Sequence, residues 1–243
     1  MSKKLSLKQF LMKSGKFDKV FDCIEAIKNG RVALNNEIIT NPSYFFNPKN
    51  DLVKLDNEKL KITSKLYFIM NKPAGYLSQK SDDEKTIYDL LKNLNLSKEL
   101  IQSLHAVGRL DKDTEGLMIL TNDGKLSDMI MNPENEIIKK YYAVLELPAK
   151  REKIKELESG TELEYDHKKY KTKRCKIKIV GEKEIYISIS EGKKRQIRLM
   201  LESIGNKVDY LKRVSIAGLQ LGKLNLGEIR QVTKEEITEK LEI

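Results

Sequence analysis

The chain contains no tryptophan, two cysteines, two histidines and five prolines in 243 residues. Cys23 and Cys175 stand far apart, so neither a disulfide framework nor a cysteine metal cluster is expected. His105 and His167 alone leave no ligand set for a zinc or multi-histidine site. No apolar stretch approaches the length of a bilayer span. The first ten residues, MSKKLSLKQF, lack the apolar core and small-residue cleavage site of a signal peptide. The expectation is a cytoplasmic, monomeric protein with no membrane association and no evident metal.

What is abundant is charge. Asp, Glu, Lys and Arg make up 34% of the chain, and the net charge is +10 with a pI near 9.3. Such a surplus favours a polyanionic partner, and nucleic acid is the common one. Charge alone does not separate RNA from DNA. Hydrophobic residues make up 40%, enough for a core in one large domain or in a small and a medium one.

Residues 1–61 read as a unit. Leu7, Phe10 and Leu11 recur at helical spacing before Gly15. Val20, Ile24 and Ile27 do the same before Gly30, a C-terminal cap. RVALNNEIITNPSYFF then alternates as a hairpin around Asn35-Asn36. These residues hold 12 Lys and Arg against seven Asp and Glu, half of the whole surplus in a quarter of the chain. Residues 62–65 are the expected hinge, and a second domain follows over 66–243. Its strands are expected in LYFIM, GLMILT, KKYYAVLEL, KRCKIKIV, EIYISIS and GLQLGKL. Helices are expected in TIYDLLKNL, REKIKELESG and RQIRLMLESIG. The fold class is α+β, with a mixed, mostly antiparallel sheet flanked by helices.

Residues 108–124, GRLDKDTEGLMILTNDG, place Asp111, Asp113 and Glu115 just before the apolar run Leu117-Met118-Ile119-Leu120. Thr121 to Gly124 is an ordinary turn signal. Gly108-Arg109-Leu110-Asp111 is less ordinary. Glycine lets the backbone approach a ligand. Leu110 can anchor inward while Arg109 and Asp111 project the other way. A carboxylate in that position could serve as a nucleophile. A glycoside hydrolase would also use carboxylates, but a chain with 7% aromatics and no Trp lacks its sugar platforms.

That stretch closely resembles the main motif of the RsuA-like pseudouridine synthases, and further motifs follow in order. Asn71-Lys72-Pro73-Ala74-Gly75 is similar to their N-K-P-x-G. Lys140-Tyr141-Tyr142-Ala143-Val144 is similar to K-x-Y-x-V. Glu191 to Arg198, EGKKRQIR, is similar to E-G-x-x-R-Q-(V/I)-R. Leu211-Lys212-Arg213 and Gly227-Glu228-Ile229-Arg230 match late motifs. The resemblance implies isomerisation of a uridine within RNA without metal or cofactor. It implies Asp111 as the catalytic aspartate, attacking C1′ or removing a sugar proton. It also implies Tyr142 as the ring stacked on uracil, Arg198 as the cation paired with Asp111, and Leu211 as the apolar residue beneath the base. Arg109 would fill the gap left by the flipped uridine. Lys193, Lys194 and Arg195, with Gln196 and Lys140, would contact the RNA. Asp113 and Glu115 have no family role and read as solvated loop acids. Leu199 stands where the family often has a second arginine.

The first unit resembles the S4 RNA-binding module, which usually precedes this catalytic domain. Gly30-Arg31-Val32-Ala33-Leu34-Asn35 carries the likeness, and Lys8, Lys16, Lys19 and Arg31 are its RNA-binding candidates. Phe17-Asp18-Lys19 stands where the module usually has Ser-Arg-Arg, which implies a weaker or shifted grip. The expected partner is ribosomal RNA or a subunit assembly intermediate. SLHAVGRLD and YFIMNKPAGY resemble small-subunit (16S) members, whereas Thr172 to Lys176 resembles a large-subunit (23S) member. A non-catalytic RNA-binding protein is the competing reading. The persistence of Asp111, Tyr142 and Arg198 favours the enzyme.

Overall fold

The structure, a computed structural model, describes residues 4–17, 19–61, 65–165 and 168–242. Asp18, His167 and most of the expected hinge lie outside the described residues. The chain forms two compact units: residues 1–66 with 91–105, and residues 67–90 with 106–243.

In the smaller unit, β1 (Leu5–Ser6) leads into α1 (Leu7–Lys13), which Ser6 and Gln9 close with a reciprocal capping box. Then come α2 (Val20–Lys28), β2 (Val32–Leu34), β3 (Glu37–Ile38), β4 (Phe45–Phe46), β5 (Val53–Leu55) and β6 (Glu58–Lys59). The hairpin at Asn35-Asn36 forms as expected, with both residues at positive φ, as a tight two-residue turn requires. Leu7, Phe10, Leu11, Cys23, Ile27, Val32 and Val53 share one core. The buried face of α2 is rotated from expectation: Cys23, Ala26 and Ile27 point in, and Val20 is 51% exposed at the helix start.

The chain continues through β7 (Tyr67–Lys72), α3 (Ile87–Leu91), α4 (Lys98–Ser103), β8 (His105–Ala106), β9 (Glu115–Thr121), α5 (Gly124–Met131) and β10 (Lys139–Leu145). Next are α6 (Arg151–Glu158), β11 (Glu162–Tyr165), β12 (Lys168–Lys171), β13 (Lys176–Ile179), β14 (Glu184–Ile189) and α7 (Gln196–Ser203). It ends with β15 (Val208–Ile216), β16 (Leu219–Gln220), β17 (Ile229–Gln231) and α8 (Lys234–Leu241). The main sheet runs β13-β14-β10-β15-β9-β7-β17, with β16 beside β15. Along this path only β15 and β9 pair in parallel, so the sheet is mixed and mostly antiparallel.

That parallel seam depends on one glycine. Gly116 sits opposite Arg213 at φ +112, and a Cβ there would lie 2.2 Å from the Arg213 carbonyl oxygen. Gly116→Ala is therefore expected to destabilise the protein by about 3 kcal/mol or more, combining backbone strain with a clash that only strand separation relieves. Denaturant unfolding measures it; an unchanged midpoint would mean that the seam yields without cost.

Candidate active site

A cleft of about 370 Å³ opens on the larger unit. Arg109, Leu110, Asp111 and Lys112 line one wall, Gly192 through Arg198 another, and Tyr141, Ile189 and Leu211 the floor. A larger hollow, about 580 Å³, lies in the smaller unit and contains none of the motif residues. The chemistry-bearing residues converge on the smaller space.

The Asp111 segment is held by backbone bonds rather than by its side chains. Thr114 N–H donates to the Asp111 carbonyl at 3.0 Å, closing a turn over Lys112 and Asp113. Gly75 N–H donates to the Lys112 carbonyl at 2.7 Å. The Ser78 hydroxyl donates to the Leu110 carbonyl at 2.7 Å and accepts from Leu110 N–H at 3.0 Å. Beneath the turn lies Lys72, 0% exposed. Its Nζ donates to the carbonyls of Thr114 at 2.8 Å, Pro73 at 3.0 Å, Asp111 at 3.1 Å and Lys112 at 3.3 Å. Burial pushes the Lys72 ammonium down to about 8, against the charges of Asp113, Glu115 and Asp111. The four carbonyls favour the charged form. Lys72→Met removes every donor and leaves buried acceptors unmatched, so a loss of about 3 kcal/mol is expected, read by thermal melting. A melting point like that of the parent would show that the turn does not need its cation.

Arg198 is 6% exposed, not a helix-surface residue. Its Nη1 donates to the Val208 carbonyl at 2.8 Å. The expected Arg198–Asp111 pair is not formed among the described residues: Nη2 meets Asp113 Oδ2 at 2.9 Å, and Arg195 Nη1 approaches the same oxygen at 3.4 Å. Asp113 is the second central residue of the turn and reaches the start of α7, whereas Asp111 sits at its beginning. Asp113 is thus an exposed loop acid, as expected, that also serves as a partner for two arginines. Glu115 is corrected: its Oε2 accepts the Tyr210 hydroxyl at 2.6 Å. Gln196 is engaged inside its own loop, with Nε2 donating to Glu191 at 2.6 Å and Oε1 accepting from Lys193 N–H at 3.0 Å. Arg195 caps α7 in the left-handed region at φ 53, a strained position at the cleft edge.

The largest correction concerns the tyrosine. Side chains alternate across a strand. Tyr141, Ala143 and Leu145 are buried on the inner face of β10, and Tyr141 lines the cleft with Asp111. Tyr142 and Lys140 point to the opposite face. There the Tyr142 ring lies 5.5 Å from Tyr186 and 6.3 Å from Tyr210, and Lys140 Nζ sits 4.5 Å over the Tyr186 ring. The paired Lys139-Lys140 and Tyr141-Tyr142 let the K-x-Y spacing fit in two registers. The apolar alternation Tyr141, Ala143, Leu145 was the signal for the other one.

The remaining candidates belong to the smaller unit. Lys8 is half-buried and Lys19 exposed at the start of α2. Lys16 pairs with Glu99 at 3.2 Å, and Arg31 Nε donates to Asp56 at 3.0 Å.

Residues 66–203 match the family model described as RNA pseudouridylate synthase. The ribosomal large subunit pseudouridine synthase B of Bacillus subtilis (strain 168) is 34% identical over 221 residues, covering 88% of this chain and 86% of its own. The ribosomal small subunit pseudouridine synthase A of Escherichia coli (strain K12) is 32% identical over 213 residues, covering 87% and 89%. A crystal structure of a pseudouridylate synthase superimposes with a TM-score of 0.69 at 33% identity, over 98% of this chain and 99% of that one. A shared fold, a family match across more than half the chain and relatives at this identity place the chain in the RNA pseudouridine synthase family.

Proposed function

We propose that this chain isomerises a uridine of ribosomal RNA to pseudouridine, and that its substrate is small-subunit RNA. The observation that carries the reading is the Asp111 carboxylate in a basic cleft beside Tyr141, Arg109 and Arg198. Glycosidic cleavage calls for a carboxylate at the sugar. The N1–C1′ bond breaks, the uracil turns in place, and C1′ joins C5. The hydrogen leaving C5 is balanced by one gained at N1, so no co-reactant is consumed. Asp111 acts at the ribose, Tyr141 stacks on the uracil, and Leu211 packs beneath it. Arg109 occupies the place of the extruded nucleotide, and its charge offsets part of the unstacking cost. Arg198, tied to Asp113, aligns the catalytic turn. Lys193, Lys194 and Arg195 receive phosphates. The smaller unit acts as an S4-like RNA grip through Lys8 and Lys19, since Lys16 and Arg31 already have acidic partners.

The test is a map of pseudouridines in both ribosomal RNAs from cells with and without the gene. Loss of one small-subunit position is expected. Loss confined to the large subunit would overturn the choice of substrate, and no loss in either would overturn ribosomal RNA as the target.

A further inference from the structure

The sheet face opposite the cleft is built from tyrosine and lysine. Lys178 pairs with Tyr186, Tyr186 with Tyr142, and Tyr142 with Lys212, so these side chains form one row across β13, β14, β10 and β15. A second row sets Lys176 opposite Ser188 and Ser188 opposite Lys140. Lys140, Lys176 and Lys178 are exposed, and Tyr142, Tyr186 and Tyr210 are partly so. Two acids share this face: Glu115 accepts from the Tyr210 hydroxyl, and Glu184 lies near that of Tyr142. Lys140, Lys176, Lys178 and Lys212 outnumber these two acids, so the face carries a net positive charge around its partly exposed rings, with Lys140 Nζ 4.5 Å from the Tyr186 ring centroid.

We infer that this face is a second RNA-binding surface, which takes a single-stranded segment of the substrate. Bases stack on Tyr186 and Tyr142, and phosphates pair with Lys140, Lys176 and Lys178. Aromatic rings framed by cations bind single strands without sequence preference. A duplex keeps its bases stacked on one another and cannot offer them to rings lying on a sheet. A protein partner fits less well, because lysine is depleted from protein interfaces. The inference rests on RNA as the substrate but not on the roles given to the cleft residues.

The experiment titrates a fluorescent oligouridylate against the full chain at several salt concentrations. Tyr186→Ala removes one platform, Tyr186→Phe keeps the ring, and Lys176→Glu with Lys178→Glu alters two exposed charges that do not support the fold. Tyr186→Ala should weaken binding about fivefold to tenfold, while Tyr186→Phe should stay close to the parent. The double Glu variant should weaken it similarly and reduce the salt slope by about two. A duplex of the same length should compete poorly. Unchanged affinity in Tyr186→Ala and the double variant would overturn the inference. So would an equal loss in Tyr186→Phe, which would point to the hydroxyl or the fold rather than stacking. Asp111→Asn serves as the separating arm. If it keeps turnover, the reading of the cleft fails while this face stands; if it binds oligouridylate like the parent and the face variants do not differ from it, the face fails alone.

Discussion

Asp111→Asn is expected to yield a folded protein that still binds RNA and forms no pseudouridine above background. The fold should survive because the Asp111 carbonyl, not its carboxylate, accepts from Lys72 and Thr114. Asparagine keeps that carbonyl and nearly the same shape, and it lacks only the charged oxygen that we propose acts at the ribose. Release of label from C5 of uridine measures the outcome. Asp113→Asn provides the contrast. It weakens a link to Arg195 and Arg198 that is half-exposed on the Asp113 side. A pair of that kind is worth about 1 kcal/mol or less, so a loss of only a few-fold is expected. Turnover by the Asp111→Asn protein would remove Asp111 from its role, and collapse of Asp113→Asn to the same level would move that role two residues along.

Tyr141→Ala should lower the rate at saturating RNA by about 10²- to 10³-fold, because a base without its stacking partner is misaligned for both bond cleavage and rejoining. Tyr142→Ala should leave that rate within a few-fold and act on affinity. The two residues are neighbours in one strand and point to opposite faces of it, so a difference in rate at saturating RNA reports which face meets the base. Single-turnover kinetics on a short stem-loop separates rate from affinity. Equal losses in both variants would contradict the assignment of faces.

Much of this architecture was legible because its signals are local. The apolar runs of β7 and β9, the periodicity of α6 and α7, and the Asn35-Asn36 turn each carry their own physics. β15 was not legible. VDYLKRVSI alternates, yet its inward positions include Arg213, whose buried Nε donates to the Leu117 carbonyl at 2.7 Å. A buried arginine breaks the apolar pattern by which strands are found, and its partner lies 96 residues away. The same holds within the site. The motifs place Asp111, Arg198 and Leu211 at one cleft, but which acid meets Arg198 is decided by a turn whose closing bonds come from Thr114 and Lys72. The choice between Tyr141 and Tyr142 needed the whole strand, including Glu146 beyond its end, and not the motif alone.

The pairing of β17 with β7 has a consequence for how the protein is made. Met70 lies against Ile229 and Phe68 against Gln231, so an early strand of the larger unit waits for one of the last. All the residues assigned to chemistry precede position 214, yet Val232, Ile237 and Leu241 complete the core beneath β7 and β9. A growing chain can therefore present every catalytic side chain at the exit of the ribosome and still have an open sheet edge. The sheet of this unit cannot close until β17 has been made, so its folding proceeds at a pace set by contacts between distant parts of the chain. During that interval β7 can pair with β9 on one side, and its other edge stays open, the edge most in need of a chaperone.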